Sequence, residues 1–279
     1  LSQAGKIETR HIEDPNQSDI FVGKETGDGG SINGSAVTSF GKPNIVNDNF
    51  REVKRESTIY HSEQFIPESN INGLSSYPDG SFRDYQYWGS IQKLSCSDRN
   101  LKVFMESRVG YIPVKQYLTG GDGANVVLNN AQILTEMVYY QEKRGIGLHP
   151  ESHAYFGGAD YFVSQETGSI CRISRDGLTV ISDVKDDNGN YLVRQYLYNL
   201  ITGNQNNFVA CFNPRRNTYE VNIGGCVITW DEKLNNFIGG RSYNGEMFGS
   251  GGNDMVSFNN GVLYLHEANP VYNNFYDRQ

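Results

Sequence analysis

The sequence predicts a mainly β protein, a propeller-like stack of antiparallel meanders with a poorly regular N-terminal arm and one short helix. Three observations lead there. Aromatic residues make up 12% of the 279 residues although the hydrophobic share is only 37% and the mean hydropathy is −0.55. Together with 31 Gly this suits pleated sheets joined by many turns. Residues 154–182 (AYFGGADYFVSQETGSICRISRDGLTVIS) read as short strands folded back on one another. Finally, hairpin groups near 90–115, 155–182, 207–243 and 255–268 recur at roughly the 40–50-residue period of propeller blades. A two-sheet sandwich is the rival architecture.

Within 154–182 three strands are expected, at 161–163, 170–173 and 178–181. Asp176-Gly177 marks a tight reversal, because a two-residue turn needs positive φ and Gly tolerates it. In the second strand Cys171 and Ile173 point one way while Arg172 and Ser174 point the other, giving an apolar and a wet face. Such a meander buries its apolar face only by stacking on copies of itself.

Residues 1–50 are assigned to an extended arm and 51–279 to the propeller-like domain. The arm is polar and Gly-rich (IEDPNQSD, GKETGDGGSINGS), the composition of a segment that gains order against a neighbouring subunit or stays loose. After it, residues 57–66 have strand chemistry, and 88–94 with 101–105 form a hairpin around a polar turn at 95–100. In its second arm Leu101, Val103 and Met105 alternate with Lys102 and Phe104. A strand at 109–114 follows, with Pro113 near its end. The Gly-rich run 120–125 lacks the Lys-Ser/Thr of a phosphate loop and reads as a turn, while 131–140 fits a strand or a helix. The run 183–190 (DVKDDNGN) fails the calcium-loop pattern and reads as a surface turn. The helix is expected at 191–201, on the spacing of Leu192, Tyr196 and Leu200. Strands are expected again at 208–212, 219–223, 226–230, 237–243 and 255–258, the last turning at Asn260-Gly261 into 262–266.

Bulk chemistry narrows the function. A net charge of −8 without a basic stripe argues against nucleic acid as the main ligand. No apolar run has membrane-spanning length. Cys96, Cys171, Cys211 and Cys226 form no CxxC pair and are expected as reduced thiols, most of them in the core. The chain starts at Leu1, which suits a processed product or a piece of a longer chain.

Several phrases in order resemble tail structural proteins of short-tailed bacteriophages, in particular the crAss-like phages. They are FGKPN at 40–44, INGL at 71–74, 89–94 followed by GYIPV at 110–114, and YFV at 161–163 with 168–174 and Asp176-Gly177-Leu178. Asn213-Pro214 with NTYEV at 217–221, FNNGVLY at 258–264 and NNFY at 273–276 continue the series. The resemblance implies a virion protein of the tail tip, of the muzzle or stabilisation type. It would be propeller-like and multimeric, cleaved in some cases, and without known chemistry, so it brings no catalytic, cofactor or metal residues.

Tests for chemistry agree with that expectation. His149 and His153 stand four apart, but Pro150 takes the place where a zinc-protease motif needs Glu. Trp230-Asp231 with Phe237 fits a propeller hairpin box, in which Asp ties a turn and the aromatic packs beneath. Arg172, Arg175, Arg215, Arg216 and Arg241 show no spacing that gathers them, and no nucleophile elbow or acidic pair stands out. Tyr77, Tyr85, Tyr87, Tyr139, Tyr140 and Tyr155 suit blade packing, sugar stacking or a protein interface.

The sequence therefore predicts a non-enzymatic structural component of a phage tail, without cofactor, located in the virion. Its expected partners are other tail proteins and further copies in a ring, with a host surface glycan as an additional ligand. The alternative is a glycan-binding or glycan-hydrolysing adhesin on the same scaffold.

Overall fold

A computed structural model describes residues 54–63, 73–77, 81–97, 100–113, 134–204, 208–241, 243–268 and 276. Contacts divide the chain into Leu1–Lys54 and Arg55–Gln279, and every described strand lies in the second unit. Expectations for the arm, for 64–66, for the run 120–125 and for 131–133 fall outside the described residues.

The protein is mainly β, built of antiparallel sheets whose strands follow chain order without crossovers. A two-stranded sheet pairs β1 (Thr58–Tyr60) with β2 (Phe82–Asp84). The first four-stranded sheet contains β3 (Ile91–Ser97), β4 (Asn100–Met105), β5 (Val109–Pro113) and β6 (Val138–Tyr139). The second contains β7 (Ala154–Phe156), β8 (Ala159–Ser164), β9 (Ser169–Ser174) and β10 (Gly177–Val180). β11 (Val209–Asn213), β12 (Thr218–Ile223), β13 (Cys226–Asp231) and β14 (Asn236–Arg241) make the third. A three-stranded sheet of β15 (Met247–Gly251), β16 (Asp254–Asn259) and β17 (Val262–Leu265) ends the series.

The local chemistry explains the meanders. Gly224-Gly225 and Asn260-Gly261 each fill a two-residue turn with both φ angles positive, as the twist of the flanking strands requires. The reversal near Asp176 differs from expectation. Gly177 pairs with Ser174, so Arg175 and Asp176 are the turn residues and only Gly177 (φ 105°) is left-handed.

The second sheet has four strands rather than three, because Ala154–Phe156 folds back through Gly157-Gly158. β15 was also unforeseen, since its Gly-Ser-Gly sequence has loop chemistry and is held only by pairing with β16. At 131–140 the described part resolves to a two-residue strand.

Among the described residues the one α-helix, α1 (Arg194–Thr202), starts later than its spacing suggested. Tyr191 instead bridges to Lys185. The buried side is Val193, Leu197 and Ile201, one position along from the expected stripe, leaving Tyr196 exposed.

Consecutive sheets pack face to face. Phe104 and Val109 of the first meet Phe162, Cys171 and Ile173 of the second. The other face of the second sheet, with Tyr161, Val163 and Ile170, meets Phe212, Tyr219, Val221 and Trp230 of the third, capped by Leu197 and Ile201. The face of β9 expected to be wet is therefore covered as well, and Arg172 pairs with Glu232 across that junction at 2.7 Å. Tyr161 stacks on Tyr219 at 5.2 Å, and the Tyr219 hydroxyl donates to the Ser152 carbonyl at 2.6 Å. Burying each large side chain contributes about 1.5–3 kcal/mol. β11 lies beside both β7 and β15, so the second, third and last sheets converge along their first strands.

Candidate functional site

Alternation along β4 sends Leu101, Val103 and Met105 toward the two-stranded sheet and sends Lys102 with Phe104 toward the second four-stranded sheet. On β8 the same rule places Asp160 beside Phe162 on the opposing face. Lys102 and Asp160 thus meet as a buried ion pair. The same carboxylate accepts hydrogen bonds from Ser95 Oγ at 2.6 Å and His153 Nε2 at 2.8 Å. Burial pushes the Asp160 carboxyl upward, but the bonds from His153, Lys102 and Ser95 outweigh it and hold it below the ordinary value.

A cleft of about 550 Å³ opens at the same junction, lined by Ser97, Asn100, Lys102, Tyr111 and Tyr140 from one side and by Gly158 and 174–177 from the other. The two tyrosine rings lie 5.7 Å apart. Burial, with Tyr111 and Asp160 nearby, raises the Tyr140 hydroxyl to about 12.

The cluster has the ingredients of nucleophilic catalysis in an order that does not perform it. A serine nucleophile needs an imidazole to take its proton and an acid behind the imidazole. Here Asp160 stands in the middle, so Ser95 and His153 both bind the acid.

The junction between the third and last sheets carries a second buried acid. Cys211, Glu220 and Thr229 lie in one row across β11, β12 and β13. Glu220 accepts hydrogen bonds from the Tyr243 hydroxyl and from Thr218 Oγ1 at 3.1 Å. Burial, reinforced by the Glu220 charge, raises the Tyr243 hydroxyl pKa. Arg216 Nε donates to Glu267 at 2.7 Å, Asn213 Nδ2 donates to it at 2.8 Å, and Arg215 pairs with Asp254. Polar groups dominate this junction, whereas at the second sheet's two junctions the polar groups sit beside larger apolar clusters.

The outer face of the last sheet is the opposite case. Register places Met247, Phe258 and Leu263 in one row, with Gly249, Val256 and Leu265 in the next on the same face. Met247 is 47% exposed, Phe258 46%, Leu263 55% and Leu265 48%. Together these side chains make a contiguous, half-exposed apolar sheet face.

The residues weighed from sequence scatter. His149 is buried against Phe208 with its Nε2 2.8 Å from Gln165 Oε1, whereas His153 goes to Asp160, so the pair is divided between partners. Among the described residues no group of His, Cys, Asp and Glu is arranged to hold a metal ion. Asp231 Oδ1 accepts from the Lys233 and Leu234 amides while Phe237 packs on Trp230 at 4.9 Å, the hairpin-box arrangement. Arg172 lies at the junction of the second and third sheets and Arg175 lines the cleft, while Arg215, Arg216 and Arg241 lie toward the last sheet, the latter two near His266. Tyr85 is buried, Tyr139 and Tyr140 are half-buried, and Tyr77, Tyr87 and Tyr155 are exposed. Sequence reasoning missed Lys102, Asp160 and Glu220. Their signal was a charge sharing strand parity or a strand interior with apolar residues.

No protein-family model matches the sequence, and no curated protein matches it. Among solved structures the chain is similar to a virginiamycin B lyase of Staphylococcus aureus, a catalytically inactive form solved with quinupristin. The identity is 12% and the TM-score 0.30, over 67% of this chain and 74% of that one. So loose a likeness transfers neither architecture nor activity. No described helix is long and apolar enough to cross a membrane.

Proposed function

We propose that this protein is a structural component of a bacteriophage tail, acting by assembly rather than turnover. Its sheets would be blades of a propeller-like body, fanning from their shared first strands. The observation that supports the assembly role is the exposed apolar face of β15–β17, because a contiguous apolar sheet surface gains free energy when a partner covers it. The phage context comes from the sequence resemblance, and in that setting the partners are other tail proteins in the virion. The buried acids fit a stiff plate, since each is spent on locking one sheet to the next.

Mass spectrometry and electron microscopy of purified virions from phages that encode this sequence test the reading. The chain should be present in stoichiometric amount and map to the tail. Its absence from the particle would overturn the proposal.

The second reading, a glycan-binding or glycan-cleaving adhesin, is favoured by the cleft with Tyr111 and Tyr140, where aromatic rings and polar groups from two sheets converge. Release of oligosaccharide from host capsule by the purified protein would decide for it.

A further inference from the structure

The side chains of Lys102, Ser95 and His153 converge on the Asp160 carboxylate from two sides. Asp160 is 0% exposed and Lys102 6%, so bulk water does not separate them. Lys102 Nζ lies against Oδ2. The other oxygen, Oδ1, receives Ser95 Oγ at 2.6 Å and His153 Nε2 at 2.8 Å. A carboxylate oxygen only accepts, so both of those groups donate to it. The His153 ring is steeply inclined to the Phe104 ring, with centroids 5.0 Å apart, which fixes the direction of Nε2.

This order leaves Ser95 without a base, but it arms a different pair. Lys102 is an amine held beside an electrophilic carbon, Asp160 Cγ. Two donors point at Oδ1, the oxygen on which negative charge develops when an amine adds to that carbon. Apolar surroundings favour a neutral amine and a neutral acid over two charges, and Phe104 and Phe162, next along the same strand faces, supply them. Lys102 also lines the 550 Å³ cleft, which gives a small leaving molecule a way out.

We propose that Lys102 and Asp160 condense to an amide, a covalent cross-link that the protein forms on itself between its first two four-stranded sheets. The Lys102 ammonium first gives a proton to Oδ2, leaving a neutral amine beside a carboxylic acid. The nitrogen lone pair then adds to Cγ, and the electron pair displaced onto Oδ1 is held by Ser95 and His153. The nitrogen, now positive, passes a second proton to Oδ2. The Cγ–Oδ2 bond breaks, Oδ2 departs as water, and the Oδ1 carbonyl re-forms with Lys102 Nζ as the amide nitrogen. An ammonium and a carboxylate thus become an amide and one water, with no oxidant, cofactor or outside proton. The ion pair is the state before condensation. The hydrogen bonds that keep Asp160 ionised make the first proton transfer the slow step, and one reaction per molecule is enough. The proposal does not depend on the tail assignment.

Mass spectrometry of the denatured full chain tests this. The wild type should be lighter than its sequence by one water. Trypsin should then yield residues 100–108 and 145–172 joined as one branched peptide, uncut at Lys102 because an acylated lysine is not a cleavage site. Lys102→Arg, which keeps the charge but offers no amine, should have the full sequence mass. In Ser95→Ala, followed by mass from fresh synthesis in vitro, the cross-linked fraction should build up about a hundredfold more slowly, the loss of one oxyanion donor. Its unchanged melting temperature shows that the variant folds. A wild type that keeps its full mass after long incubation in the folded state overturns the proposal. So does a lost water that maps elsewhere, such as a succinimide at Asp176-Gly177, with residues 103–108 released as a free peptide. A folded Ser95→Ala that condenses at the wild-type rate overturns the role given to the Oδ1 donors.

Discussion

Lys102 on β4 and Asp160 on β8 form a buried ion pair that joins two consecutive sheets, fifty-eight residues apart in the chain. Two charges out of water hold together only while each has the other, and the carboxylate needs Ser95 and His153 as well. Removing one partner should therefore cost more than removing both. Lys102→Met is expected to destabilise by about 3–5 kcal/mol, and adding Asp160→Asn should recover part of that loss. Urea unfolding of the single and double variants measures it. A double variant less stable than the single would contradict the account.

Acid should unfold the protein in two stages. Burial lowers the His266 pKa, despite the upward pull of Glu220 and Glu267. A histidine held low prefers to be neutral in the fold, so its contribution is complete above about pH 6.5, the unfolded value, and declines as the pH falls below it. Asp160 and Glu267 are also held low, through hydrogen bonds and ion pairs that overcome burial. Their contributions are complete above about pH 4 and disappear as the pH falls through the folded values. Melting temperature against pH should show both declines, and His266→Gln should abolish the first alone.

Backbone crowding makes a sharp contrast between two glycines. A Cβ at Gly145 would lie 2.2 Å from the Glu106 carbonyl oxygen and 2.4 Å from the Arg108 amide, where 145–147 run along the β4–β5 turn. At Gly251 nothing lies within 4 Å. Gly145→Ala should cost about 1–3 kcal/mol or more, as overpacking does, while Gly251→Ala stays near neutral. Comparable melting temperatures for the two variants would refute the packing described.

The thiols should separate by burial. Cys96 is exposed, whereas burial raises the Cys171 thiol to about 12 and the Cys211 thiol to about 11. A thiol reagent at neutral pH should modify Cys96 promptly and reach Cys171 and Cys211 only on unfolding. Cys96→Ser should remove the fastest phase and leave the half-buried Cys226 as the next thiol to react; prompt labelling of Cys171 or Cys211 in the folded protein, read by peptide mapping, would contradict their burial.

Much of the fold was legible because its signals are local. Alternation in 218–223 and 226–231, and the positive-φ turns at Gly224-Gly225 and Asn260-Gly261, belong to a few adjacent residues and name their own strands. β15 was not legible, since Gly and Ser form a strand there only when β16 supplies the hydrogen bonds. The helix was expected too early and its buried stripe lies one position along, because α1 packs on β9 and covers the junction of the second and third sheets, and only those neighbours decide which stripe is buried. The candidate sites were still less visible. Lys102 and Asp160 are ordinary surface residue types until two sheets close over them.

By itself the sequence determined a mainly β chain of antiparallel meanders, since side-chain alternation and turn stereochemistry act over two to six residues. Only the tertiary structure decided which faces meet, where Asp160 and Glu220 find their partners, and that the apolar side of β15–β17 is left exposed. Those outcomes depend on pairing surfaces distant in the chain, whose burial and dielectric are properties of neighbours rather than of any one stretch.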